Sequence, residues 1–372
     1  GGGGGGGGGE ASSQFPRDQK HQNENGERLT IPRTQALQRL EYPSIFSPNA
    51  VCHGRSQASQ FQRKSANTLF VGDVQEALAR LQRRGIALSN FVVNFGAADG
   101  ECGSYEDWNA DPANCLVMEG AAGLLVEGNP ELRQLLLNKF GERSDVVLSL
   151  EYLSLSNVST MLRRHIEQTP AFSYSPDLLK VDLDHSDCLF TEEAVSTIHP
   201  KLLHVEYASR VPPPMDYVQH YQDELLSVSL RERQISSLED DDRLQSSDEE
   251  AAASSTKPAS KHGLELTGCS LSAFLTRLPW YSLVAAGPED LLMVRNDLQP
   301  ALEIGPAPDP WESWLDGAFC QPLHLCYPGY IWWGFDFRIL ADKNIDLPQR
   351  QAMLEKLLQQ HGSTAFTLAA ID

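Results

Sequence analysis

Short apolar runs alternate with segments of helical periodicity along the middle of the chain, and this alternation sets the predicted architecture. Each run has the length and composition of a strand buried in a parallel sheet. The five predicted strands are residues 91–93, 123–127, 146–148, 178–182 and 202–206. The first helix is expected to begin at Asp73 as its N-cap, and Gly85 and Gly141 are expected to end two of the helices. Strands alternating with helices predict a parallel sheet with helices on both faces.

The pattern changes after three consecutive prolines at residues 212–214. A polar, acidic stretch follows and is interpreted as an insertion at about residues 225–262. Beyond it, a helix is predicted over residues 270–278, followed by strands at residues 281–285 and 291–295 joined as a hairpin. The predicted fold class is therefore α/β, with the Rossmann-like sheet of class I methyltransferases: seven strands, mostly parallel, with an antiparallel C-terminal hairpin. A dinucleotide-binding fold would instead end in a parallel sixth strand.

Composition divides the chain into three parts. Residues 1–64 are rich in Gly, Gln and Ser and lack a sustained hydrophobic period, which is typical of disorder. Residues 65–298 contain the predicted sheet and form the expected methyltransferase-type domain, including the acidic insertion. Residues 299–372 form a C-terminal extension rich in aromatic residues, which is expected either to pack on the domain or to rim a site.

Charge and cysteine content limit the partners and the compartment. The formal net charge of −20 disfavours nucleic acid as a partner, because it repels phosphate backbones. No apolar run approaches the roughly eighteen residues of a membrane span. The seven cysteines include no CxxC pair, which predicts reduced thiols without a zinc site or a disulfide framework. No secretory signal is visible, so a cytoplasmic location is favoured; the chain does not begin with Met, and an upstream targeting segment stays open.

The candidate chemistry lies where the first two predicted strands end. Two glycines follow the first strand, Gly96 and Gly100, and such a turn lets backbone approach a ligand closely. Glu127 closes the second strand, where a carboxylate can accept both hydroxyls of a ribose. Together they predict a crevice for a nucleoside ligand. The glycine spacing is GxxxG rather than GxGxxG, and no Walker motif occurs, so NAD and ATP are disfavoured as ligands.

The chain resembles the FkbM-like methyltransferases, particularly a subgroup common in algae and other microbial eukaryotes. The resemblance is carried by residues 94–100, 111–114, 125–130, 156–158, 177–184, 187–188, 205–206, 212–214 and 268–270. It covers roughly residues 90–214 and 268–298, so more than a third of the chain is unmatched.

The resemblance implies transfer of a methyl group from S-adenosylmethionine, in this family typically to an oxygen of the acceptor. The cofactor-binding residues it implies are Asn94, Gly96, Ala97, Asp99, Gly100, Glu127, Asn129 and Asp182. Gly96 and Gly100 would border the methionine part of the cofactor, and Glu127 would hold its ribose. One departure is Asn94, because the family usually places an acidic residue there. The substitution removes a charge that can help to hold the cofactor's ammonium group.

Methyl transfer to a hydroxyl also needs a base, and Asp184, His185 and Glu206 are the candidate catalytic residues. Asp182, Asp184 and Glu206 could instead hold a divalent ion, but a polar rim is the favoured interpretation and no metal is expected. Cys188 is expected to pack as a structural thiol.

Three functions remain open at this point. The first is an active methyltransferase acting on a small-molecule or glycan hydroxyl. The second is a catalytically inactive descendant that keeps the fold as a binding or interaction module, which Asn94, the long acidic insertion and the unmatched tail all permit. The third, least favoured, is an NAD-type oxidoreductase.

Overall fold

The computed structural model describes residues 69–103, 111–183, 186–221, 268–303, 307–319, 331–332, 335–360 and 366–370. The predicted disordered region, residues 1–64, and the predicted acidic insertion, residues 225–262, lie outside the described residues.

A seven-stranded sheet forms the centre of the fold. The first six strands along the chain are β1 (Phe91–Phe95), β2 (Ala122–Val126), β3 (Val146–Ser149), β4 (Leu178–Val181), β5 (Leu202–Glu206) and β6 (Met215–Gln219), and they are followed by β7 (Tyr281–Ala286) and β8 (Asp290–Arg295). All except β6 join the central sheet, in the order β3-β2-β1-β4-β5-β8-β7. Neighbouring strands from β3 to β5 pair in parallel, whereas β8 is antiparallel to both β5 and β7.

Helices cover both faces of this sheet. They are α1 (Leu69–Arg83), α2 (Pro112–Met118), α3 (Arg133–Phe140), α4 (Val158–Gln168), α5 (Asp187–Thr197), α6 (Leu271–Arg277), α7 (Gln299–Leu302), α8 (Pro310–Trp314) and α9 (Leu347–Gln360). Apolar side chains of α1, α2 and α3 share one buried cluster with one face of the sheet. Side chains of α4, α5 and α6 share a second cluster with the other face.

The predicted fold class is confirmed. The strand order, the single reversed strand and the helices on both faces give a Rossmann-like methyltransferase fold. The first helix was placed incorrectly, because α1 begins before Asp73 and that residue lies inside the helix instead of capping it.

A second, two-stranded sheet was not predicted. Strand β6 directly follows the three prolines and pairs antiparallel with β11 (Phe366–Ala370), the last strand along the chain. Two shorter strands, β9 (Ile331–Trp332) and β10 (Phe335–Asp336), precede β11 and pair with each other. The C-terminal extension therefore packs on the domain, and its Trp314, Phe319 and Leu354 belong to the same buried cluster as β1 and β4.

The prediction of reduced thiols is wrong for four cysteines. Cys102 is bonded to Cys115, and Cys188 at the start of α5 is bonded to Cys269 just before α6. The partners lie 13 and 81 residues apart in the sequence, so only the fold shows which cysteines meet. The other three, Cys52, Cys320 and Cys326, lie outside the described residues.

Among the described residues, no helix combines the length and the apolar character needed to cross a membrane.

Candidate active site

The loop after β1 bends across the carboxyl end of β2. The backbone N–H groups of Gly96 and Ala97 both donate to the carbonyl of Val126, over 3.0 and 3.1 Å. Gly96 has a φ of +82°, and a Cβ atom added there would lie 1.8 Å from the carbonyl oxygen of Asp182. Glycine is therefore required at position 96 because the end of β4 approaches the loop so closely.

The rest of the glycine loop is shaped by local contacts. Ala98 and Gly100 adopt positive φ angles of 49° and 74°. A Cβ atom on Gly100 would lie 2.6 Å from the ring of Phe140, so this glycine packs the loop against α3. The carboxylate of Asp99 accepts a hydrogen bond from the backbone N–H of Glu101 and stays within the loop.

Glu127 connects the end of β2 to this loop. One of its carboxylate oxygens accepts a hydrogen bond from the backbone N–H of Ala98 over 2.8 Å, and the other accepts from Asn129 over 2.6 Å. The side chain of Asn129 in turn accepts from the backbone N–H of Glu131. The structure therefore brings the two predicted halves of the crevice, the glycine loop and the second-strand carboxylate, into direct contact.

Asn94 lies beneath the loop and is fully buried. Its amide nitrogen donates to a carboxylate oxygen of Asp111 and to the side-chain oxygen of Asn114, both over 2.9 Å. Its own Oδ1 is buried with no hydrogen-bond partner among the described residues. The amide of Asn114 donates to the backbone carbonyls of Ala97 and Glu101, which fixes the loop above.

Asp111 and Asn114 were not recognised as site residues from the sequence. Asp111 caps α2 by accepting from the backbone N–H of Asn114 over 2.8 Å, and Pro112 follows it. An Asp-Pro pair at the start of a helix is a detectable capping signal. Nothing in that signal indicates that the second carboxylate oxygen turns towards β1.

Lys180 was also missed, although it lies at the centre of the site. Its ammonium group is 2.9 Å from a carboxylate oxygen of Asp182, 3.1 Å from Asp111 and 3.4 Å from the carbonyl of Gly96. Only 6% of its side chain is exposed. Burial alone would lower the pKa of Lys180, but Asp111 and Asp182 raise it above its usual value, so the ammonium stays charged.

A row of ionisable groups continues from Lys180 across β5 and β8. Burial would raise the pKa of Asp182, but the neighbouring Lys180 and a hydrogen bond with Glu206 lower it. His204 pairs in register with Lys180, and burial together with that positive charge lowers its pKa to about 3, so its ring is neutral. Asp290 is the register partner of Glu206, and burial and the charge of Asp182 raise its pKa.

The predicted bases are only partly placed by the structure. Glu206 ends β5 and interacts with Asp182, whereas Asp184 and His185 lie outside the described residues. Among the described residues, no group of His, Cys, Asp and Glu side chains is arranged to hold a metal ion.

Tyr152 is a further residue at the site that the sequence did not single out. A Cβ atom on Gly128 would lie 2.3 Å from the ring of Tyr152, so the ring packs directly on the backbone that follows Glu127. The side chain is nevertheless 38% exposed. A flat, partly exposed ring therefore lies against Gly128, the residue that follows Glu127.

Comparisons with known proteins leave the family open. No protein-family model matches the chain, and no curated protein matches it. Among solved structures, a proposed RNA methyltransferase from Pyrococcus horikoshii is similar at 14% identity, over 43% of this chain and 71% of that chain, with a TM-score of 0.22. A likeness this distant carries no argument about activity or substrate. The structure itself shows a methyltransferase-like fold, with the glycine loop and Glu127 in contact at the carboxyl ends of β1 and β2.

Proposed function

We propose that the protein is an S-adenosylmethionine-dependent methyltransferase that transfers a methyl group to a hydroxyl of a small molecule or glycan. The observation that carries the proposal is the hydrogen bond between the Glu127 carboxylate and the backbone N–H of Ala98. It joins the two parts of the crevice that an adenosyl ligand needs, at the carboxyl ends of β1 and β2. Ligands of open α/β sheets bind at this edge.

The residues present fit an adenosyl group. An ionised carboxylate has about four acceptor positions, and Glu127 uses one on each oxygen, so both oxygens can still accept from a ribose hydroxyl. The ring of Tyr152 lies beside it and offers a face on which an adenine can stack. When bound, S-adenosylmethionine supplies a methyl group already activated by its sulfonium charge.

The acceptor side is proposed at the ends of β4 and β5. Asp182 keeps a negative charge beside the glycine loop, which favours a cationic ligand there. Glu206 is its neighbour on β5, and the two carboxyl groups share a hydrogen bond and therefore one proton. The negative charge of this pair can take the proton of an acceptor hydroxyl, with Asp184 and His185 as further candidate bases. Asn94, Gly96, Ala97, Asp99, Gly100 and Asn129 shape the cofactor side of the crevice.

Membership of the FkbM-like family remains part of the proposal. It is supported by the ordered segments that carry the resemblance, four of which are joined by hydrogen bonds at the carboxyl ends of the strands: residues 94–98, Asp111, Glu127 and residues 180–182.

Calorimetric titration of the intact protein with S-adenosylmethionine, S-adenosylhomocysteine and NAD tests the proposal. Glu127→Ala should weaken binding of both adenosyl ligands at least about ten- to hundredfold, because the loss of even one hydrogen bond to a charged group costs about 1.5–3 kcal/mol. Glu131→Ala is the matched control, since its side chain is exposed on the same segment.

Each alternative has its own outcome in the same titration. Binding of NAD without either adenosyl ligand would favour an oxidoreductase. Binding of none of the three would favour the inactive interaction module. An affinity unchanged by Glu127→Ala would reject the assignment of Glu127 to the ribose.

A further inference from the structure

Lys180 is unusual because it places a buried, charged ammonium near the carboxyl end of β4, the central strand of the sheet. Removing a charge from water costs free energy that only close partners offset. Its partners come from three separate elements: Asp111 from the cap of α2, Asp182 from the end of β4 and the Gly96 carbonyl from the loop after β1. One ammonium group therefore holds together Asp111, Asp182 and the glycine loop at Gly96.

We infer that Lys180 is a positioning residue of the cofactor pocket, which holds the Gly96 carbonyl and the Asp182 carboxylate where an adenosyl ligand meets them. The inference rests on the proposed function and deepens it by naming the residue on which the shape of that pocket depends.

A second buried lysine shows what a purely structural role looks like in the same sheet. Lys201 is 2.8 Å from Asp177, and the exposed fractions of the two side chains are 7% and 5%. Asp177 also accepts from the backbone N–H groups of Ser89 and Asn90, just before β1. This pair fastens the amino ends of the strands, whereas Lys180 lies at their carboxyl ends. Lys201 is therefore a matched control of equal burial and charge.

Several ionisable side chains surround Lys180. They are Asp111 at the cap of α2, Asp182 just after β4, His204 and Glu206 on β5, and Asp290 on β8. The lowered pKa of Asp182 depends on Lys180, because burial acts in the opposite direction. Loss of the ammonium should let Asp182 take up a proton as the pH falls.

The test compares Lys180→Met, Lys180→Arg and Lys201→Met by thermal melting and by calorimetric titration at about pH 5.5 and about pH 8. S-adenosylhomocysteine reports the shape of the pocket, because it lacks the sulfonium charge. Lys180→Met should bind it about tenfold more weakly than the wild type does, and Lys180→Arg should recover most of the loss. In Lys180→Met, S-adenosylmethionine should also bind more weakly at the lower pH than at the higher. Lys201→Met should lose thermal stability and keep both affinities.

A further variant keeps the inference testable if Lys180→Met does not fold. Asp182 is 39% exposed, so Asp182→Asn should fold. It should lower the affinity for S-adenosylmethionine more than that for S-adenosylhomocysteine, because it removes the carboxylate charge beside the loop and only S-adenosylmethionine carries the sulfonium charge. An unchanged ratio of the two affinities would overturn the inference, as would equal binding of S-adenosylhomocysteine by Lys180→Met and Lys201→Met. Failure of the wild type to bind either ligand would overturn the proposed function itself.

Discussion

At the scale of single residues, the neighbours of Asn94 determine how its substitution would affect stability and cofactor binding. The resemblance implies an acidic residue here, which suggests that Asn94→Asp would restore a charge useful for cofactor binding. In the structure, however, the Asn94 amide donates to the Asp111 carboxylate 2.9 Å away. A second carboxylate at this buried position would face the first in place of the amide donor, with Lys180 as the only cation in contact with Asp111 among the described residues.

Asn94→Asp should therefore lower the free energy of unfolding, on the order of 3 kcal/mol, without strengthening cofactor binding. The like charge would raise the pKa of the new carboxyl in the folded state above its unfolded value of about 3.9. The loss should accordingly be small at about pH 5 and larger at about pH 8, because the penalty grows as the pH rises above the unfolded pKa. Denaturant unfolding at the two pH values measures it.

The charge-swapped variant Asn94→Asp with Asp111→Asn should recover part of this stability, because it restores one amide facing one carboxylate beside Lys180. Asn138→Asp, on the exposed side of α3, serves as the surface control. Tighter binding of S-adenosylmethionine by Asn94→Asp alone would show that the missing charge matters more than the Asp111 contact.

The residues that the sequence could identify are those with local signals. Gly96, Gly100 and Glu127 follow apolar strands, so their place at the carboxyl edge could be predicted from the pattern alone. Lys180 and Asp111 could not, because their meeting depends on the register of β4 with β1 and on the direction in which α2 leaves the loop. A lysine inside an apolar run gives no indication of its partner.

At the scale of elements, the Cys188–Cys269 bond joins the starts of α5 and α6. The second disulfide bond, Cys102–Cys115, joins the end of the glycine loop to α2. The two helices that the Cys188–Cys269 bond links, α5 and α6, pack on the same face of the sheet. The first bond therefore holds together the starts of two helices on one face of the sheet, and the second holds α2 to the residues that follow the glycine loop.

Removing each bond by paired Cys→Ala substitutions should destabilise the protein by different amounts. In the chain-entropy description the 81-residue separation gives about 4.5 kcal/mol and the 13-residue separation about 3 kcal/mol. Denaturant unfolding of the two double variants, with peptide mapping of the wild type under non-reducing conditions, checks the order. Free thiols at all four positions in the mapped wild type would contradict the pairing.

The five parallel strands and the hairpin were predictable because each is a compact apolar run with turn residues beside it. Strands β6 and β11 were not, since β6 directly follows three prolines and β11 lies in a tail without a partner nearby. Short strands of this kind are stabilised by the sheet they join, and their own sequence carries little of the signal.

At the scale of the whole molecule, the C-terminal extension is part of the main core. Trp314 is 1% exposed, and its ring N–H donates to the backbone carbonyl of Ser209, three residues after β5. Gly317 packs so closely on β7 that an added Cβ atom would lie 1.6 Å from the carbonyl oxygen of Ala286. The extension and the sheet should therefore unfold together.

Trp314→Ala should lower the free energy of unfolding by about 3–5 kcal/mol and shift a single transition, as expected for a large buried side chain. Trp280→Ala is the control, because Trp280 is 64% exposed and its loss should change stability by about 0.5 kcal/mol or less. Circular dichroism during denaturant unfolding measures both. Two separate transitions, with only the weaker one affected by Trp314→Ala, would show that the extension is an independent appendage.

The pairing of Met215 with Ala370 places a constraint on how the molecule is made. During synthesis β6 leaves the ribosome long before β11 has been made, so the edge of β6 that pairs with β11 lacks its native partner. Much of the parallel sheet can already assemble during that time. Chains whose translation stops early would keep that edge open to strands of other molecules. Quality control of this protein in the cell is therefore expected to depend on whether the segment that carries β11 has been translated.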